Sequence, residues 1–120
     1  NVVGLNFIMK LKPVTYHLNM EALNKYFKIP ANLQDKDAEL ARGNQLQTGF
    51  IAQDVLKAAK SLGIDFSGVD APKNANDYYG LRYAEFVVPL VKGMQEQQKE
   101  IDALKKLVHK LIDKPLLVSK

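Results

Sequence analysis

The chain has 120 residues, of which 47% are hydrophobic and 25% charged, and this composition is typical of one globular domain. The net charge of +4 arises from 17 basic and 13 acidic side chains that are mixed along the sequence, so no basic run predicts a nucleic-acid arm. The absence of cysteine excludes disulfides, a thiol nucleophile and thiolate metal ligands. No apolar run approaches the ~18 residues of a membrane-spanning helix. We therefore expect neither a nucleic-acid partner nor insertion into a membrane.

The first thirty residues predict short elements that prolines separate. Apolar residues within 5–9 are spaced as in a short helix or turn, which Pro13 ends because proline lacks an N–H. Residues 14–18 alternate between apolar and polar side chains, as in a half-buried strand. Asn19 is then expected to cap a short helix that Pro30 stops. Because the sequence begins without an initiator methionine or a signal peptide, we also expect it to be part of something longer.

The middle of the chain combines a polar stretch with an amphipathic helix. Residues 31–47 carry only weak helical signals, and we expect a mobile excursion from the domain there. Residues 49–52 predict a brief strand. The apolar residues of 55–62 then share one helix face, and Gly63 is expected to close this helix as a left-handed C-cap.

Two strands and a loop are predicted before the last helix. Residues 64–69 indicate one strand, and the alternation within 79–83 indicates another. Residues 70–77 are dense in turn formers and predict a loop between the two strands. We expect the tyrosines around the second strand, Tyr78, Tyr79 and Tyr83, to pack in a core rather than to stack on nucleic-acid bases.

The C-terminal helix carries a seven-residue repeat. Since proline is tolerated in a first turn, Pro89 predicts a helix that begins near Phe86, or one that is kinked there if it starts earlier. The helix should run to Asp113 before Pro115 stops it. Its apolar residues recur with a strict period of seven, which favours partner helices because a lone helix drifts from such a repeat. The a positions of this seam are Val87, Met94, Ile101 and Val108, and the d positions are Leu90, Gln97, Leu104 and Leu111.

The repeat alone leaves the number of helices open. β-Branched residues at a with leucine at d favour two parallel strands. Leu107 at g, and Val91 and Ile112 at e, widen the apolar face, which favours more than two helices or packing against the globular part. Gln97 is the one polar seam residue and can fix register and oligomer number at a cost in stability. The alternative interpretation is a fraying helix that is too polar for a seam.

Residues with catalytic or metal-binding chemistry are scattered. A Ser–His–acid site would need Ser67 near His17 and an aspartate. The Phe-Ser-Gly-Val context of Ser67 is not a nucleophile elbow, and we interpret Ser67 as a turn residue. His17 and His109 have no i, i+4 partner, and the loop at 70–77 lacks the residue order of an EF-hand. The glycines form no phosphate-binding loop. We therefore predict no metal site and no cofactor.

Three segments together resemble a known family. They read GLNFIMKLKPVTY at 4–16, TGFIAQDV at 48–55 and YGLRYAEFVVPLV at 79–91. Their order and spacing are similar to those of the endosialidase-type C-terminal intramolecular chaperone domain. That domain occurs at the ends of phage tailspikes and tail fibres and in related bacterial surface proteins. The resemblance spans nearly the whole chain, and only residues 19–47 lack a counterpart and resemble a variable insertion.

The resemblance implies a trimer that guides folding of the protein attached to its N-terminus and then releases itself. Release in that family is self-cleavage by a serine–lysine dyad in a Ser-Asp-x-x-x-Lys-type segment at the very start of the domain. No serine precedes Ser61 in this chain, so neither dyad residue can be assigned here. We expect cleavage just upstream of Asn1 and no protease activity in the chain itself. The setting that the resemblance implies is a phage tail or a bacterial cell surface.

We therefore expect an α+β fold with a small antiparallel sheet, short helices and a long C-terminal coiled-coil helix. Residues 1–85 should form the chaperone-like domain, with 19–47 as insertion, followed by the coiled-coil helix at 86–114 and a tail at 115–120. The expected partners are two further copies of this chain, or one in a dimer, and the covalently attached upstream protein. A plain oligomerisation or adaptor module without a chaperone or protease role is the alternative.

Overall fold

The computed structural model describes residues 2–113, and its architecture is α+β, as the sequence predicts. The predicted tail at 115–120 lies outside these residues. The α-helices are α1 (Leu5–Ile8), α2 (Met20–Tyr26), α3 (Lys36–Asn44), α4 (Ala52–Ser61) and α5 (Val87–Asp113). The strands are β1 (Val14–Tyr16), β2 (Gln47–Gly49), β3 (Val69–Asp70) and β4 (Gly80–Leu81). Short 3-10 helices occupy Ala31–Leu33 and Tyr83–Phe86.

The strands form two small antiparallel sheets. β1 pairs with β2, with Val14 opposite Gly49 and Tyr16 opposite Gln47. β3 pairs with β4, and the carboxylate of Asp70 accepts two hydrogen bonds from the Arg82 guanidinium that follows β4, at 2.8 and 2.9 Å. Two-stranded sheets of this size are marginal by themselves, so their order depends on the core on which they rest.

The predicted strands are shorter in the structure. β2 ends at Gly49, where the sequence predicts a strand to begin, and the chain enters α4 at Ala52. Phe66 lies outside any strand because it turns into the core instead. Tyr83 starts a 3-10 helix rather than ending a strand. Alternation over three to five residues does not separate a strand from an irregular segment that sends every second side chain inward.

The core joins distant parts of the sequence. Its buried members come from α1, α4, the segment after α4 and the 3-10 helix before α5: Phe7, Val55, Ala58, Ala59, Phe66 and Phe86. The ring centroid of Phe66 lies 4.8 Å from that of Phe7 and 4.9 Å from that of Phe86. Gly63 closes α4 with a φ of +66°, which confirms the predicted left-handed C-cap.

The segment between β1 and β2, residues 17–46 (the insertion), is largely helical, and it contains most of the stretch predicted as an excursion. Asn19 caps α2 by accepting a hydrogen bond from the Ala22 N–H at 3.0 Å, as predicted. Asp35 caps α3 by accepting from the N–H groups of Asp37 and Ala38, so this part of the polar stretch is a regular helix. Residues 17–46 contribute no side chain to the buried core cluster. Since Tyr16 and Gln47 are paired, the insertion leaves the sheet and returns to it at the same end.

Candidate oligomer interface

The base of α5 is fixed to its own domain by α1. Gly93 is buried, and a Cβ atom added to it would lie 3.5 Å from both Ile8 Cγ1 and the Leu5 Cα. The Leu5 N–H donates a 3.1 Å hydrogen bond to Glu96 Oε1. An N–H group at a helix start lacks an intrahelical partner, and the Glu96 carboxylate supplies it. These contacts, between residues far apart in the sequence, position the long helix.

A stack of aromatic rings fixes the start of the same helix. The rings of Phe50 and Phe86 stack at 5.3 Å, and Tyr83 stacks on both. The Phe50 N–H also donates a hydrogen bond to Tyr83 Oη at 3.2 Å. Tyr83 Oη can lie there because Gly49 has no side chain: an added Cβ would come within 2.5 Å of it. The second and third family-like segments therefore meet at this point.

The structure places all eight seam residues on α5 and leaves them exposed in the single chain. The seven apolar ones range from 41% exposed at Ile101 to 73% exposed at Met94. Gln97 is also exposed. A row of exposed large apolar side chains marks a surface that another molecule covers. Contacts between copies stay a prediction.

The second half of α5 extends away from the globular part. Every residue from Gln97 to Asp113 is exposed, including Leu107 at 56% and Ile112 at 71%. The sequence leaves two explanations for this widened apolar face: more than two helices, or packing against the chain's own domain. For residues 97–113 the structure does not show the second. The radius of gyration is 22.8 Å, whereas a compact chain of this length would have about 14 Å.

In the part of the chain that the structure describes, Ser67 and His17 are not hydrogen-bonded to each other. Ser67 Oγ donates a 3.0 Å hydrogen bond to Glu85 Oε2, and His17 Nδ1 lies 3.1 Å from the Gly43 carbonyl oxygen. Ser67 and His17 therefore have different partners. Within residues 2–113, no three His, Asp or Glu side chains are grouped so that they could hold a metal ion. In the same range, no helix has the length and apolar character to cross a membrane.

The prediction of core packing is wrong for Tyr78 and Tyr79, which are exposed, whereas Tyr83 packs against the core by stacking on Phe86 while it stays 49% exposed. Tyr78 is 52% exposed and contacts Tyr26 and Phe27 of the insertion edge to face, with ring centroids 5.2 and 5.8 Å away. Asp77 accepts hydrogen bonds from the Lys73 and Tyr78 N–H groups, which lower the pKa of its carboxyl. Partial burial, together with the negative charge of Asp77, raises the pKa of Tyr26. Only tertiary contacts bring this cluster together, so the sequence carries no signal for it.

Comparison with known proteins identifies the family. A family model described as chaperone of endosialidase matches residues 1–64, which is more than half of the chain. The chain belongs to this family. Neither a curated protein nor a solved structure matches it. Membership confirms the resemblance seen in the sequence and supports a chaperone role, while α5 with its seam lies outside the matched range.

Proposed function

We propose that this member of the endosialidase chaperone family trimerises through α5 and assists the folding and assembly of the protein attached to its N-terminus. The proposal also includes release of the domain by self-cleavage just upstream of Asn1. The observation that carries it is the row of exposed apolar side chains on α5, whose second half is covered by none of the residues at 2–113. A helix with an uncovered apolar stripe is stabilised by partner helices.

Three helices fit the apolar face better than two. Val91 at e and Leu107 at g are both at least half exposed and extend the seam on its two sides. A two-stranded coil buries mainly a and d, whereas additional helices bury the flanking positions too. Three joined chains hold their upstream parts at high effective concentration. This lowers the entropic cost of assembling an intertwined upstream trimer.

Light scattering tests the trimer. The purified chain at micromolar concentration should have three times the monomer mass. Ile101→Asp with Leu104→Asp should give a monomer because the new carboxylates would lie in the seam. Gln95→Asp with Lys99→Asp places two new carboxylates at positions b and f of the same helix, outside the seam, and should remain trimeric. A monomeric wild type, or an unchanged mass in the seam variant, refutes the trimer.

The chaperone role is tested on the attached protein. We expect the upstream protein to reach its native state when it is synthesised with the wild-type domain, and to misfold without it or with the Ile101→Asp, Leu104→Asp variant. Native folding without the domain would reject the chaperone role. This result favours the second candidate, a plain oligomerisation module, for which the exposed seam is sufficient.

Self-cleavage is tested with the natural upstream sequence in place. A denaturing gel should show a fragment whose new N-terminus, determined by sequencing, lies just upstream of Asn1. Replacement of each upstream serine in turn should identify the one that abolishes the fragment. An uncut wild-type product would argue against release by self-cleavage.

A further inference from the structure

The base of α5 exposes more apolar surface than a seam requires. Val88 and Val91 are 58% and 50% exposed, next to the seam residues Val87 and Leu90. Val91 occupies position e, but Val88 occupies position b, which lies outside the contact face of two- and three-stranded coils. Partner helices alone therefore leave Val88 uncovered.

The chain's own domain covers a different side of the helix base. Gly93 at position g and Glu96 at position c contact α1, through Ile8 and Leu5. Positions c and g adjoin each other on a heptad wheel, and b and e adjoin each other on the opposite flank of the seam. Each copy therefore carries its own α1 on one flank and exposed valines on the other.

A parallel coil brings these two flanks together. Position e of one helix faces position g of the next helix around the axis. The domain attached beside position g then comes against the b and e flank of its neighbour. In α1, Phe7 is fully buried, and successive helical residues are about 100° apart, so Met9 lies nearly opposite the core. Met9 is 71% exposed, so an apolar side chain of the α1 segment is available for this flank of a neighbouring copy.

We propose that Val88 and Val91 of one copy pack against the α1 segment of the next copy, with Met9 at the centre of the contact. The occupant of this surface is a second copy of the chain, because the surface is continuous with the seam through which the proposed trimer forms. The contact joins two different patches and closes into a ring after three copies. It rests on the proposed parallel trimer.

Engineered cysteines test the contact directly, because the chain contains none. Oxidation of the double variants Met9→Cys, Val88→Cys and Met9→Cys, Val91→Cys should give a covalent trimer on a non-reducing gel for at least one pair. Met9→Cys with Lys99→Cys, at position f on the outer face, should remain a single chain. The inference would be overturned if both test pairs formed only an intramolecular disulfide, or none, while light scattering still gave the mass of three chains. Such a result would leave the proposed trimer itself intact.

A charge substitution gives a second measurement that does not depend on disulfide geometry. Val88→Glu should raise the concentration at which the trimer dissociates by about tenfold or more. Gln95→Glu, at position b one heptad later, should leave it unchanged. If circular dichroism shows that the Val88→Glu variant is not helical, Val88→Ser is used instead. Val88→Ser should also raise the dissociation concentration, by a smaller factor. Equal dissociation of the b variants would overturn the contact, whereas a monomeric wild type would refute the trimer itself.

Discussion

At the level of single residues, two glycines permit the contacts that position α5. Gly93 allows the backbone of α1 to approach the long helix, and Gly49 leaves room for the hydroxyl of Tyr83. The two sites differ in the space they leave. An added Cβ would lie at an ordinary contact distance of 3.5 Å at Gly93, but only 2.5 Å from Tyr83 Oη at Gly49. Opposite effects are therefore expected from the same substitution.

Gly93→Ala should stabilise the protein, because alanine favours a helix interior over glycine by about 1 kcal/mol and the added methyl group fits against Ile8. Gly93→Leu should destabilise it by about 1–3 kcal/mol, since the larger side chain would separate α1 from α5. Chemical denaturation followed by circular dichroism measures both. A destabilised alanine variant would show that the α1–α5 contact is tighter than described.

Gly49→Ala should destabilise the protein by about 1–3 kcal/mol through the clash with Tyr83 Oη. Tyr83→Phe removes this oxygen, and the Cβ added at Gly49 would lie 3.6 Å from the ring carbon Cζ that carried it. The double variant should therefore recover part of the lost stability. A double-mutant cycle measures the coupling. Additive effects of the two substitutions would mean that the glycine and the hydroxyl are independent.

Asp77 should make the stability of the loop before β4 depend on pH. Its carboxylate accepts the Lys73 and Tyr78 N–H groups at 3.1 and 2.9 Å, and these bonds lower its pKa. A lowered pKa means that the stabilisation is present above the unfolded-state pKa of about 3.9 and is lost as pH falls through the folded value. Amide NMR shifts of both residues should show this transition, and Asp77→Asn should abolish it. A midpoint at or above the ordinary value would contradict the bonding.

At the level of elements, local signals in the sequence predict helix ends better than strands. Asn19 and Gly63 act within their own turns, so the cap at each could be recognised from neighbouring residues. β3 and β4 depend on pairing across a loop, and their short alternating patterns do not define where pairing stops. The sequence does not predict α3 as an element, because this helix buries no residue and so carries no amphipathic pattern.

Because the insertion is outside the core, it should be removable. Replacement of residues 17–46 by Asn-Gly would join the paired residues Tyr16 and Gln47 through a two-residue turn that suits a hairpin. We expect the shortened chain to keep its fold and its oligomeric mass, with a thermal midpoint within a few degrees of wild type. Replacement by Pro-Pro, which does not suit this turn, is the control. Loss of cooperative unfolding in the Asn-Gly variant would show that the insertion supports the core.

At the level of the whole molecule, the sequence predicts a seam on α5 but not what surrounds it. The period of seven depends only on spacing along one helix, so the sequence predicts seam positions for Ile101 and Leu104, and the structure shows that both are exposed in the single chain. The hydrogen bond between Leu5 and Glu96 joins residues 91 positions apart, and no local pattern predicts such a contact. For the same reason, the sequence did not show that the chain's own domain occupies one flank of the helix.

Gln97 should lower the stability of the proposed trimer. Gln97→Leu would replace a polar seam residue by an apolar one, and we expect stabilisation of about 2 kcal/mol per chain. Thermal unfolding at several protein concentrations measures this effect, with Gln95→Leu, outside the seam, as the matched control. Light scattering shows whether three chains are retained. An equal gain in both variants would place Gln97 outside the interface.

The position of α5 after every element of the core has a consequence for biosynthesis. Translation delivers α1, both sheets and α4 before the helix that carries the seam. The core still lacks Phe86, at the entrance to α5, until that stage is reached. Completion of the globular part and exposure of the seam therefore happen close together in time. A ribosome-bound chain therefore has little opportunity to associate through the proposed seam before its own domain can close.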